Sequence, residues 1–282
     1  MQEINKQHTK TLILMIIGFA ITIFSFLSLM ITNNMLGIIL ILPGIGLLWY
    51  ADKLKKNIST MYKKEYVLPM LQEVFTNVYF TPEEGLDQDT VYESSLFPKG
   101  NRYSSNDLVI AEYKGIPFRM SDVHIQNVTH NGKTTTTVEY FQGKWIIAKF
   151  PKSINGYLKV REKEFLGGDG TGLFSGLEKI ETESVEFNKK FSIRTSDELE
   201  AFYILTPTFM ETLLEIEAQI DGTIGFSFLN NEIHIGLYTH KDDFDIGMLD
   251  EYGDYILQQH QNEIDTITRL FDSLYQNQYL YE

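Results

Sequence analysis

The sequence predicts a membrane-anchored α+β protein: an N-terminal two-helix transmembrane hairpin, then a soluble domain of antiparallel β-strands with packed helices. Three observations predict this. Long uncharged apolar runs are confined to the first fifty residues, a lysine cluster follows them directly, and turn dipeptides separate alternating segments from about residue 107 onward.

The first span covers Thr11–Ile31, 21 residues without a charge and rich in Leu, Ile, Phe and Met. At a rise of about 1.5 Å per residue this crosses a hydrocarbon core roughly 30 Å thick. It exceeds the h-region of about 7–15 residues found in cleaved signal peptides, and no Ala-x-Ala-like site follows. The second run, Met35–Tyr50, is shorter and contains Pro43, Gly44 and Gly46. Alone it suits either a re-entrant segment or a short span. The polar turn Thr32-Asn33-Asn34 before it, and Trp49-Tyr50 at headgroup level after it, favour the span. Pro43 is expected to bend that helix.

Orientation follows from the basic residues. Lys6 and Lys10 precede the first span, Lys53, Lys55, Lys56, Lys63 and Lys64 follow the second, and the turn between has none. Positive residues are retained inside, so a multi-pass cell-membrane protein with both termini cytoplasmic is expected. Residues 51–75 read as a basic helical stalk, with Leu54, Ile58, Met61 and Tyr62 at helical spacing until Pro69 interrupts the ladder. The five stalk lysines are candidate contacts to an anionic bilayer surface.

Residues 76–282 form the expected cytoplasmic α+β domain. Residues 1–64 hold seven of the 24 basic and two of the 38 acidic residues, so the remainder carries 17 against 36, a net charge of −19. Such a field opposes nucleic-acid binding, which needs basic clusters. The absence of cysteine excludes disulfides, thiolate metal sites and cysteine nucleophiles.

Strands are expected at Leu108–Ala111, from Phe118 through Ile125, at Thr134–Phe141 and at Trp145–Phe150, separated by Gly115, Asn131-Gly132, Gln142-Gly143 and Asn155-Gly156. Val185–Ile193 reads as a further strand, with Val185, Phe187, Phe191 and Ile193 on one face. Two helices follow. Thr195 and Glu198 open the first at capping-box spacing, and Thr206-Pro207 opens the second. A hairpin turns at Asn230-Asn231. An amphipathic helix from about Met248 to Leu274 closes the chain, with Leu249, Tyr252, Leu257, Ile264, Ile267, Phe271 and Leu274 inward.

The stretch Glu183-Ser184-Val185-Glu186-Phe187-Asn188-Lys189-Lys190-Phe191, followed by Ser196-Asp197, Leu205-Thr206-Pro207 and Phe209-Met210, resembles the core of domain-of-unknown-function family 3137. Phe141-Gln142-Gly143-Lys144-Trp145 fits the same family's hairpin before an aromatic strand. The resemblance spans most of residues 55–240. It implies paired N-terminal spans and a bacterial soluble domain of uncharacterised activity, and it brings no catalytic residues.

Motifs for chemistry are sparse. Gly132-Lys133-Thr134 ends like a P-loop but lacks the earlier glycine and sits in a hairpin. The glycine-rich Gly167–Gly172 lacks GxGxxG spacing. The six histidines are scattered, and Ser175 is not in a nucleophile elbow. The densest group of metal-ligand types is His240, Asp242, Asp243 and Asp245, whose spacing is not that of a calcium loop and which also suits a solvated acidic turn. The tyrosines of the tail, Tyr275–Tyr281, suit a docking segment. The reading is a membrane-tethered cytoplasmic interaction or scaffold domain with no cofactor, whose partners are the lipid bilayer and another protein or a second copy. The alternative is a metal-dependent hydrolase on the His240–Asp245 cluster.

Overall fold

The structure, a computed structural model, describes residues 1–32, 36–152, 155–163, 176–240, 244 and 252–275. By their contacts the residues fall into two compact units, Met1–Pro69 with Phe244–His260, and Met70–Asp243 with Gln261–Glu282.

The first unit is helical. Its long members are α1 (Gln2–Thr32) and α2 (Leu36–Tyr62). They approach closely where side chains are small: a Cβ on Gly18 would lie 2.9 Å from Leu48, and one on Gly44 would lie 2.5 Å from the Thr22 hydroxyl. Thr22 and Ser25 donate to the carbonyls of Gly18 and Ile21 one turn back, which satisfies both hydroxyls within α1. Pro43 lies inside α2 rather than at its end.

Beyond Tyr62 the helix widens into a π-helical turn, Lys63–Val67, where the Leu68 amide donates to the Lys63 carbonyl. Helix α3 (Leu68–Val74) follows. Pro69 is its second residue, but the helical run passes without a break from the π-helical turn into α3, so this proline, expected to interrupt the ladder, lies inside a continuous run beside its widened turn. In the same unit the Asn5 side chain grips the Tyr252 backbone from both sides. Its amide donates to the Tyr252 carbonyl at 2.7 Å, and the Tyr252 N–H donates back to it at 2.9 Å. The Tyr252 ring meets Tyr62 and His8 edge-on.

The second unit is built on β1 (Thr76–Thr81), β2 (Arg102–Tyr113), β3 (Ile116–His130), β4 (Thr135–Lys149), β5 (Leu158–Glu162), β6 (Glu178–Ile180), β7 (Phe191–Thr195), β8 (Thr223–Leu229) and β9 (Glu232–Tyr238). Among the described residues these strands form one antiparallel sheet in the order β1-β2-β3-β4-β9-β8-β5-β7-β6. Its hairpins are written locally. Lys114-Gly115 and Asn230-Asn231 all adopt positive φ, the geometry of tight two-residue turns whose twist matches the strands. At the β3–β4 turn the Asn131 side chain accepts from the Lys133 and Thr134 amides, so the motif resembling a P-loop end is a hairpin turn, as expected.

Two expectations about the strands change. Gln142-Gly143 does not separate strands, since β4 runs straight through it. A side chain on Gly143 would lie 2.1 Å from the Leu237 carbonyl of β9, so the glycine serves close strand approach, not a turn. Val185–Lys190 is helix α5 rather than strand, capped by the Ser184 hydroxyl on the Phe187 amide, and β7 begins only at Phe191. Residues two apart on a helix point about 200° apart. Phe187 is accordingly buried while Val185 faces solvent.

The remaining helices are α4 (Gln88–Glu93), α6 (Glu198–Ile204), α7 (Pro207–Glu217) and α8 (Asp254–Tyr275). α6 is capped by Asp197, which accepts from the Leu199 and Glu200 amides, instead of by Thr195, whose hydroxyl donates to backbone carbonyls. α7 opens as expected, with Thr206 as cap and Pro207 first. Of the inward face expected for the last helix, Tyr252, Ile264, Ile267, Phe271 and Leu274 are buried. Ile256 is buried where Leu257 was expected, and Leu249 lies outside the described residues.

Alternation along β3 and β4 sorts the core. Val123, Ile125, Phe141, Trp145 and Ile147 pack with Leu96, Phe97 and Tyr238 on one face. Phe118 on the other face meets Phe75 and the Phe271 ring of α8.

Candidate functional site

Charge is carried onto that second face. Asp122 and Lys144 are direct cross-strand partners, and α8 brings Glu263 to the same ammonium. Lys144 Nζ lies 2.8 Å from Asp122 Oδ1 and 2.7 Å from Glu263 Oε1, and the Lys144 and Asp122 side chains are buried. A buried ammonium is tolerated where opposite charges and hydrogen bonds replace water. The arrangement braces α8 to the sheet, and Tyr275 reinforces it by donating to the Lys149 carbonyl at 2.6 Å. Motif scanning missed this trio because its members are far apart in sequence. The available signal was opposite charge at inward-facing positions of neighbouring strands.

A second polar cluster forms around Glu139. One carboxylate oxygen meets His124 Nε2 at 3.0 Å, and the other meets His240 Nδ1 and the Tyr238 hydroxyl, each at 3.1 Å. Burial pushes the Glu139 carboxyl up, but hydrogen bonds from His240, Tyr238 and His124 outweigh it and hold the carboxyl below its usual range. Burial and the neighbouring Glu139 charge raise the Tyr238 hydroxyl. The carboxylate lies between the imidazoles rather than beside them. Among the described residues no three His, Cys, Asp or Glu side chains converge to hold a metal ion. His240 thus pairs with Glu139, while its expected companions Asp242, Asp243 and Asp245 lie outside the described residues, as does Gly167–Gly172. Of the other histidines, His130 bonds Thr135, and the buried His234 accepts from the Trp145 indole.

The apolar N-terminal region offers a different kind of site. Among the described residues one helix, Gln2–Ile31, is long and apolar enough to cross a membrane, with mean hydropathy 2.6. Only 11% of its most apolar window is buried. Ile16, Phe19, Ile23, Phe24, Met30 and Ile31 all project outward. The lysines after Tyr50 differ in setting. Lys53 lies over the Trp49 ring, Lys56 pairs with Asp52 at 3.1 Å, Lys64 is exposed and Lys55 half-buried. Lys63 is buried in the π-helical turn, so it is not available to a lipid surface.

Comparison with solved structures finds the crystal structure of the mycobacterial trehalose monomycolate transport factor A, TtfA, at 6% identity, covering 76% of this chain and 95% of that one, with a TM-score of 0.35. A likeness at that level carries no argument about fold or function. Comparison with curated proteins gives no match. Residues 139–276 match the family described as "Protein of unknown function (DUF3137)". The match starts later and ends later than the resemblance read from the sequence, and it contains the Phe187–Met210 block and the Lys144–Glu263 brace. Over residues 139–276 the chain is thus similar to that family of proteins of unknown function.

Proposed function

We propose that the protein is a membrane-tethered interaction or scaffold protein. Residues 11–31 and 35–50 form a two-span hairpin, both termini are cytoplasmic, and the sheet-containing unit docks another protein or a second copy. The observation that carries the tether is the outward apolar surface of α1. A core helix of a water-soluble protein buries such a face, whereas a helix in lipid presents it. The second span is supported by the apolar stretch of α2 before Trp49 and by its close packing on α1 at Gly18 and Gly44. The cytoplasmic orientation is supported by the lysines on both outer flanks of the spans.

A docking role fits a domain whose prominent ionic groups, Lys144 and Glu139, are engaged in bracing contacts rather than offered to a substrate. No observation among the described residues favours the metal-dependent alternative. Lys53, Lys55, Lys56 and Lys64 supply an electrostatic foot on an anionic leaflet, worth about 1 kcal/mol each close to the surface. Reporter fusions after Lys64 and after Glu282 test the topology. Activity of both reporters only on the cytoplasmic side is expected, and an externally active reporter at either position refutes it. Retention of the full chain in the membrane after alkaline extraction tests the tether itself.

A further inference from the structure

Most apolar side chains of the sheet-containing unit are inward, and α6 departs from that pattern. Leu199 is 83% exposed, Tyr203 57% and Phe202 39%. Their spacing of i, i+3 and i+4 places them on one stripe of the helix, while Ala201 and Ile204 are buried on the other. The stripe is held rigidly. Asp197 caps the helix start, Glu200 accepts from the Asn155 backbone and side chain, and Lys152 donates to the Tyr203 carbonyl at 2.6 Å. Lys152 also lies 4.1 Å from the Tyr203 ring centroid, so one face of that ring is already occupied.

The same short helix carries three acidic groups, with Asp197 and Glu198 exposed and Glu200 half-buried. An apolar stripe edged by carboxylates, on a domain (residues 76–282) of 17 basic and 34 acidic residues, net −17, repels an anionic lipid surface and a second copy of equal charge. It complements a segment of the opposite character.

We propose that the exposed face of α6 docks a cationic amphipathic segment of a partner protein, with Leu199, Phe202 and Tyr203 as apolar anchors and Asp197 and Glu198 as its charged rim. This rests on the interaction reading above and adds the surface and the partner's chemistry. Rigid aromatic anchors beside charged rims are how protein interfaces concentrate affinity and select partners.

The test uses the full chain in zwitterionic nanodiscs and a labelled synthetic helical peptide with leucines on one face and lysines on the other, read by fluorescence anisotropy. Wild type binds, and Leu199→Ser with Phe202→Ser weakens binding about tenfold or more, as loss of two interface anchors should. Val185→Ser, at an equally outward apolar position on another helix, leaves it unchanged. Leu199→Ser alone, at a site too exposed to support the fold, gives a measurable part of the loss, and thermal melts confirm that each variant is folded. Equal peptide binding by wild type and the double variant overturns the proposal, because charge alone would then account for it. So does adsorption to anionic vesicles, or self-association, that the same substitutions abolish. Affinity capture separates the two levels. A protein partner retained equally by the double variant refutes this surface but not the interaction reading, whereas no partner for either form refutes both.

Discussion

The two units treat the same residue types in opposite ways. In the helical unit Ile16, Phe24 and Met30 point outward, and the hydroxyls of Thr22 and Ser25 are satisfied inside their own helix. In the sheet-containing unit phenylalanines such as Phe187, Phe226 and Phe228 are fully enclosed, and even a lysine, Lys144, is taken inside. On the membrane-tethered reading proposed above, the difference is one of solvent. In hydrocarbon there is no water to bond a stray polar group and no gain from hiding an apolar one. In water, burial of apolar area drives packing strongly enough to carry a compensated ion cluster with it.

The largest effect is expected from inverting that solvent test. Ile17→Asp together with Phe24→Asp places two carboxylates on the outward face of α1, at a cost of about 2.5–3.5 kcal/mol each in a bilayer centre. Loss of membrane insertion in an extraction assay is expected. A doubly substituted protein that still resists alkaline extraction would break the comparison, since in a water-soluble helix these exposed positions tolerate charge.

Next comes Lys144→Ala, which leaves two carboxylates facing each other in a dry site and is expected to cost about 3–5 kcal/mol in urea unfolding. A combined Lys144→Met, Asp122→Leu, Glu263→Leu variant removes all three charges and should recover most of that loss. If the triple variant is as unstable as Lys144→Ala, the brace contributes through packing rather than charge compensation.

A comparable cost, about 3–5 kcal/mol, is expected for Phe187→Ala, against less than about 0.5 kcal/mol for Val185→Ala two residues earlier. Similar losses for both would restore the strand that the sequence pattern suggested.

The smallest effect is pH-dependent. Glu139 has a depressed carboxyl, so its contribution to stability is present above the unfolded-state value and is lost as pH falls through the lower folded one. Unfolding midpoints measured below the ordinary carboxylate value of 4.5 should fall less with acidification in Glu139→Gln than in wild type. Parallel curves would show that the His124–Glu139–His240 contacts do not survive in solution.

Much of this architecture was legible residue by residue because its causes are local. An uncharged run of apolar residues makes a long helix wherever it lies, Asn230-Asn231 tolerates the positive φ of a two-residue turn, and Thr206-Pro207 caps and starts a helix. The failures lie where a local pattern had two solutions. Val185–Phe191 alternates like a strand, yet the Ser184 cap closes a helical turn that ends when the Phe191 backbone pairs with Glu162. Gly143 looks like a turn residue, and only the neighbouring Leu237 carbonyl turns it into a strand contact.

By itself, then, the amino-acid order determined most of the hairpin turns, the cap of α7 and the uneven distribution of apolar residues, since each depends on neighbours a few positions away. Tertiary structure alone decided which charges meet. Asp122, Lys144 and Glu263 span 142 positions, as the numbering shows, and Glu139 reaches forward to His240. Such pairings depend on strand register and on where α8 returns to the sheet. The outward stripe of α6 was settled at the same level, because only the packing of the fold leaves Leu199, Phe202 and Tyr203 uncovered.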